Sequence, residues 1–237
     1  MSAAAPAPGE ASGPAPVPGG PGRVLLLHGI ARRAASMARM ERALREAGHA
    51  TLNLDYDARH APLETLAEDV ARRAAAFLHA GAGPLHVVAH SMGGLLARAL
   101  ITRRRPAGLG RVVMLGTPNG GSEVADLLCR NALYRRVFGP AGAQLVTRPD
   151  ESLRALLGPV DYELGVIAGD RSLDPLASWL LLPGPDDGRV CVERTRVAGM
   201  ADHIVLHATH PLMMRNAEVI RQTLHFLRHG RFDRAAR

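Results

Sequence analysis

Residues Val87 to Leu100 read VVAHSMGGLLARAL. Val87-Val88-Ala89 has the apolar character of a buried strand end, and Leu95, Leu96 and Ala99 mark a helix that starts almost at once. Only a very tight turn joins two such elements, and Ser91 stands at its tip. Small neighbours (Ala89, Gly93 and Gly94) let strand and helix approach each other. A serine at the apex of a strand–turn–helix is presented to solvent in a strained conformation, the arrangement of a nucleophile elbow. A phosphate-binding loop would call for more glycines and a Lys, and neither is present.

The pattern on either side repeats strand and helix. Val24-Leu25-Leu26-Leu27 is a short continuous apolar run, as expected of a strand covered on both faces. Further strands are expected at Thr51–Leu54, Leu85–Val88, Val112–Leu115, Leu164–Ile167 and His203–Leu206. Helical faces recur at Met37, Met40 and Leu44, then at Leu63, Leu66, Val70 and Phe77. The last such face is Met213, Ala217, Ile220, Leu224 and Leu227, with Gly230 as its stop. Alternating strands and helices predict a minimal parallel sheet of about six strands with helices on both faces. The stretch 119–159 is expected to form a small helical cap over the C-terminal edge of that sheet, where such folds bind ligands. A second insertion, Arg171 to Pro185, carries Trp179, the chain's one tryptophan.

Composition sets the remaining bounds. The chain has 237 residues, enough for one domain (23–237), and only 3% are aromatic, so Leu, Val, Ala and Ile must fill the core. The formal charge is +7, but all 29 basic residues are Arg and they are scattered. We read this as compositional bias and expect no nucleic-acid partner. Cys129 and Cys191 match no disulfide framework or zinc motif and are expected to be reduced. No run is long enough for a transmembrane segment. Residues 1–22, rich in Pro, Ala and Gly, lack the basic and apolar regions of a secretory signal. They are expected to form a disordered tail, and the protein to be cytoplasmic.

A serine nucleophile needs a base, an orienting acid and donors for an oxyanion. The backbone N–H of Met92, heading the helix, is one candidate donor, and that of Ile30, in the loop His28-Gly29-Ile30 after the first strand, is the other. The base should follow the last strand. His210, in the loop before the final helix, fits best, while His203 and His207 lie on or near the strand and His90 reads as structural. For the acid, Asp170 follows the fifth strand most directly. Asp174, Asp186 and Asp187 are alternatives.

The motifs HGI (28–30), AHSMGG (89–94), GTPNGGSEVAD (116–126), DDGRV (186–190) and THPLMM (209–214) occur in an order that resembles the α/β-hydrolase superfamily, bacterial lipase/esterase branch. The resemblance spans Arg23 to Leu227. It implies an α/β-hydrolase fold and a triad of Ser91, His210 and Asp187, since in such lipases the acid precedes Gly about twenty residues before the histidine. It also implies hydrolysis of a small-molecule or lipid ester, with short to medium acyl chains expected. The reaction needs no metal or organic cofactor. An acyltransferase using the same triad, or a non-catalytic binding module on the fold, are the alternatives at this level.

Overall fold

The computed structural model describes residues 21–79, 83–128, 131–174, 182 and 184–235. Most of the Pro/Ala/Gly-rich tail, Cys129, Arg130 and Trp179 therefore lie outside the described residues. Six strands form one sheet: β1 (Arg23–Leu27), β2 (Ala50–Leu54), β3 (Leu85–His90), β4 (Leu109–Leu115), β5 (Leu164–Gly169) and β6 (Asp202–Leu206). Their order is β2-β1-β3-β4-β5-β6, and every pairing is parallel. This is the sheet expected from the sequence. β1, β3 and β5 are buried at every position, which accounts for their mostly apolar sequences.

Successive side chains point to opposite faces. Leu25, Leu27, Val87, Ala89, Val112 and Met114 face a core closed by α2 (Leu63–His79) and α3 (Met92–Arg104). Val24, Leu26, Val88, Val113, Leu115 and Ile167 face a second core closed by α1 (Ala38–Glu46) and the C-terminal helix (Ala217–His229). Helices thus cover both faces.

The chain reverses its direction of winding between β1 and β3. That reversal opens a crevice at the strands' C-terminal ends. The pairing Leu27↔Ala89 sets the loop after β1 beside the turn after β3. The crevice is therefore bordered by His28–Ile30 and by Ser91.

One boundary differs from expectation. Met213 belongs to the apolar periodicity of the last helix, yet His210–Arg215 forms a separate 3₁₀ turn. Asn216 is the reason. Its extended backbone breaks the helix, and its side chain accepts hydrogen bonds from Glu218 N at 2.9 Å and Val219 N at 3.2 Å, capping the new N-terminus. Met213 is buried in the second core all the same.

Between β4 and β5 lie α4 (Glu123–Leu128), α5 (Ala132–Ala143) and α6 (Glu151–Leu157). α6 lies along α3, where Thr102 Oγ1 donates to Leu157 O and Arg98 Nη2 to Gly158 O at 2.8 Å. Val124 and Phe138, by contrast, reach the crevice at the sheet edge. Among the described residues no helix is long and apolar enough to cross a membrane.

Candidate active site

Ser91 sits between β3 and α3 at φ 56°, ψ −130°. A non-glycine residue there carries roughly 1–3 kcal/mol of backbone strain and persists only if its surroundings hold it. They do: Ser91 N donates to Leu115 O at 2.8 Å, and Thr117 Oγ1 donates to Ser91 O at 3.0 Å. Gly93 has no room for a side chain. A Cβ there would lie 2.6 Å from the carbonyl oxygens of both Leu27 and His28, so a larger residue would push α3 off β1. Among the described residues the only other non-glycine with positive φ is Ala31 (φ 55°), immediately after Ile30 in the facing loop. Both strained positions therefore border the same crevice.

His210 opens the 3₁₀ turn after β6 and is 9% exposed. Its Nε2 lies 2.9 Å from Ser91 Oγ, and its Nδ1 lies 2.7 Å from Asp187 Oδ2. A carboxylate only accepts, so Nδ1 carries the proton and Nε2 is free to accept the serine hydroxyl. Asp187 is wholly buried. Its Oδ1 accepts from Arg189 N at 3.0 Å and Val190 N at 2.9 Å, and its backbone carbonyl accepts His210 N at 2.8 Å. Asp187 and His210 are thus locked together by backbone as well as side chain.

The other acids stand elsewhere. Asp170 Oδ1 accepts from the exposed His207 at 3.1 Å. Asp186 Oδ1 caps its own turn by accepting Gly188 N at 2.7 Å. Asp174 lies on the cavity wall rather than against His210. Of the competing histidines, His203 Nε2 is 2.9 Å from Thr195 Oγ1, and burial lowers its pKa to about 4. His90 Nε2 donates to His210 O at 3.0 Å. Burial, and then the neighbouring His210, hold the His90 pKa well below the usual value, so His90 stays neutral and braces His210.

His28 shapes the loop after β1. Its ring stacks on Tyr56 at 4.0 Å, its Nδ1 donates to Gly29 O at 2.9 Å, and the Tyr56 hydroxyl donates to His28 O. Gly29 then passes so close that a Cβ there would lie 3.0 Å from the Ser91 Cβ. Ile30 and Met92 follow on either side of Ser91. Among the described residues neither backbone N–H has a protein acceptor.

Three contributors escaped the sequence reading: Tyr56, Thr117 and Gly116. At Gly116 (φ 56°) a Cβ would meet Asp187 Oδ2 at 2.9 Å and His210 Nδ1 at 3.1 Å. The Gly116-Thr117 pair stands in a quoted motif, but nothing in the linear pattern shows that it touches both ends of the serine–histidine–aspartate chain.

These groups open on a cavity of about 630 Å³. Its lining includes the apolar Ile30, Val124, Phe138, Leu145, Leu182 and Val190 and the charged Arg32, Arg189 and Asp174. Among the described residues no group of three or more His, Cys, Asp or Glu is arranged to hold a metal ion. Cys191 is a buried free thiol whose pKa burial raises.

No protein-family model and no curated protein sequence matches the chain. Solved structures do. The mature form of the Bacillus licheniformis lipase BlEst2 superposes with a TM-score of 0.72 at 18% identity, over 92% of this chain and 96% of that one. The phospholipase PlaB from Legionella pneumophila gives 0.69 at 16% identity, over 90% of this chain but 60% of PlaB. A metagenomic carboxyl esterase gives 0.66 at 17% identity, over 89% of this chain and 70% of that one.

Proposed function

On the α/β-hydrolase fold that this likeness shows, we propose that the chain is a serine hydrolase of carboxylic esters. The observation that carries the reading is the continuous hydrogen-bonded chain Ser91 Oγ–His210–Asp187, with links of 2.9 and 2.7 Å, at the floor of an open cavity.

Ser91 Oγ attacks the acyl carbonyl carbon while His210 Nε2 takes its proton. The carbonyl π electrons move to oxygen, and the N–H groups of Ile30 and Met92 receive the oxyanion, each contributing about 3 kcal/mol. The intermediate collapses, the C–O bond to the alcohol breaks, and the leaving oxygen takes the proton from His210. Water repeats the cycle on the acyl-enzyme. Asp187 fixes the tautomer of His210 and stabilises its cation throughout. No step calls for a metal or an organic cofactor.

The mainly apolar lining suits an acyl chain, which we take to be short to medium. The cap role of 119–159 is supported by Val124, Phe138 and Leu145, which line the cavity.

The assignment of the base is tested by three alanine variants assayed on p-nitrophenyl butyrate. His210→Ala is expected to lose at least about 10³-fold in kcat. His203→Ala and His207→Ala, whose rings bond Thr195 and Asp170, should keep turnover within a few-fold of wild type. An inactive but folded His203→Ala protein beside an active His210→Ala protein would overturn the assignment.

A further inference from the structure

The cavity is lined by both apolar and charged side chains. Val124, Phe138 and Leu145 of the β4–β5 excursion supply apolar lining suited to an acyl chain. Two arginines also line it, each close in the chain or by a hydrogen bond to the serine–histidine–aspartate chain. Arg32 lies in the loop after β1, and its Nη2 donates to Pro211 O at 3.3 Å, one residue beyond the base. Arg189 lies two residues beyond the acid, with its backbone N fixed on Asp187 Oδ1 at 3.0 Å. Both side chains are exposed and both line the cavity.

Neither guanidinium has a carboxylate partner among the described residues. Some helix arginines are paired, Arg72 and Arg73 with Asp69 and Arg103 and Arg104 with Glu68, whereas others among the described residues are not; what sets Arg32 and Arg189 apart is their place on the cavity wall. Arg32 commits one of its five donors to the Pro211 carbonyl and keeps the rest. Two carboxylates share the cavity. Asp187 is buried, with both oxygens engaged by His210, Arg189 N and Val190 N. Asp174 is exposed, and its backbone N donates to Ser172 Oγ at 3.0 Å in a local turn.

The direction of the reaction decides which half of a substrate meets these arginines. His210 Nε2 must hand its proton to the leaving oxygen, so that oxygen lies beside His210 and the alcohol half extends along the His210–Pro211 wall. The acyl half is left the apolar lining supplied by Val124, Phe138 and Leu145. We propose that the natural substrate is an ester of an anionic alcohol, one bearing a carboxylate or phosphate that Arg32 and Arg189 bind through charge-assisted hydrogen bonds. This rests on the serine-hydrolase reading given above and names its substrate class.

Two esters with the same acyl group test it: para-(butyryloxy)benzoate, which is anionic, and its neutral methyl ester. Both give the same butyryl-enzyme, so kcat/KM reports acylation and isolates the alcohol half. The wild-type ratio of anionic to neutral kcat/KM is expected to be about tenfold at low salt, the size of one charge-assisted hydrogen bond, and to shrink at high salt. Arg32→Gln and Arg189→Gln should each lower the ratio, and the double variant should bring it to one or below. The butyrate ester of para-hydroxyphenyl phosphate distinguishes the two anions, since a larger ratio for it identifies a phosphate site and a smaller one a carboxylate site.

A wild-type ratio at or below one for both anions, or a ratio that survives the double variant, overturns the proposal. A fluorophosphonate probe run in parallel separates the two levels. Labelling of Ser91 with a ratio of one overturns the substrate class alone, whereas absence of labelling in folded protein overturns the hydrolase reading beneath it.

Discussion

Ser91→Ala is expected to reduce kcat on p-nitrophenyl butyrate by about 10⁶-fold, the scale on which removal of a serine nucleophile acts in a serine protease. The size of the loss follows from the geometry. Among the described residues His210 Nε2 has one protein partner, the Ser91 hydroxyl at 2.9 Å, so no other described side chain is held by it for attack. The fold should survive. Both bonds that hold the strained turn, Ser91 N to Leu115 O and Thr117 Oγ1 to Ser91 O, involve the Ser91 backbone, which alanine retains. The lost hydroxyl is one hydrogen bond, worth about 1 kcal/mol, so the melting temperature should move by only a few degrees. Initial rates and a thermal melt on the same preparation measure both. Turnover within tenfold of wild type would remove Ser91 from the mechanism.

Asp187→Asn is expected to cost about 10⁴-fold in kcat, and the structure explains why an isosteric change does so much. Oδ1 accepts two backbone N–H groups, from Arg189 and Val190. An asparagine therefore keeps its carbonyl oxygen there and turns its NH₂ toward His210. A donor facing Nδ1 forces the proton onto Nε2, and that tautomer cannot accept the proton of Ser91. Asp170→Asn provides the contrast. Asp170 pairs with the exposed His207, so its loss should change kcat by less than a factor of two or so. Steady-state rates of the two variants decide the matter, and an active Asp187→Asn enzyme beside an inactive Asp170→Asn enzyme would move the acid to the end of β5.

The difference between these two aspartates shows what a linear reading reaches. The elbow at Ser91 is legible because its cause is local: an apolar run, a serine and two glycines within eight residues. The six strands are legible for the same reason, each being a continuous or alternating apolar run. The placement of His210 beside Ser91 is legible from chain order. That of Asp187 beside His210 is not. Asp170 follows β5 directly, yet its side chain stays at the exposed surface with His207. Asp187 reaches His210 after an excursion of some fifteen residues, and its place is fixed by contacts made only in three dimensions, with Val190 and with His210 N. Periodicity carries no record of such contacts, and only the resemblance in the D-G spacing pointed to Asp187.

The same holds for Thr117, Gly116 and Tyr56. Thr117 is an ordinary strand-end residue until β4 is laid beside β3 and its hydroxyl meets the Ser91 carbonyl. Met213 shows the converse failure. It keeps the period of the last helix because it is buried in the same core, although Asn216 has already broken the helix. Burial sets the apolar pattern, whereas a single cap residue sets the boundary.

The central claim is that Ser91 becomes covalently acylated. It is tested most directly by intact-mass and peptide-mapping analysis after treatment with a fluorophosphonate, which loses fluoride as a serine Oγ–P bond forms. The account predicts one adduct per chain, on the peptide containing Ser91. Labelling should be slowed by orders of magnitude in His210→Ala and absent in Ser91→Ala. A folded wild-type protein that takes up no adduct, or that carries it on another residue while Ser91 stays free, would contradict it.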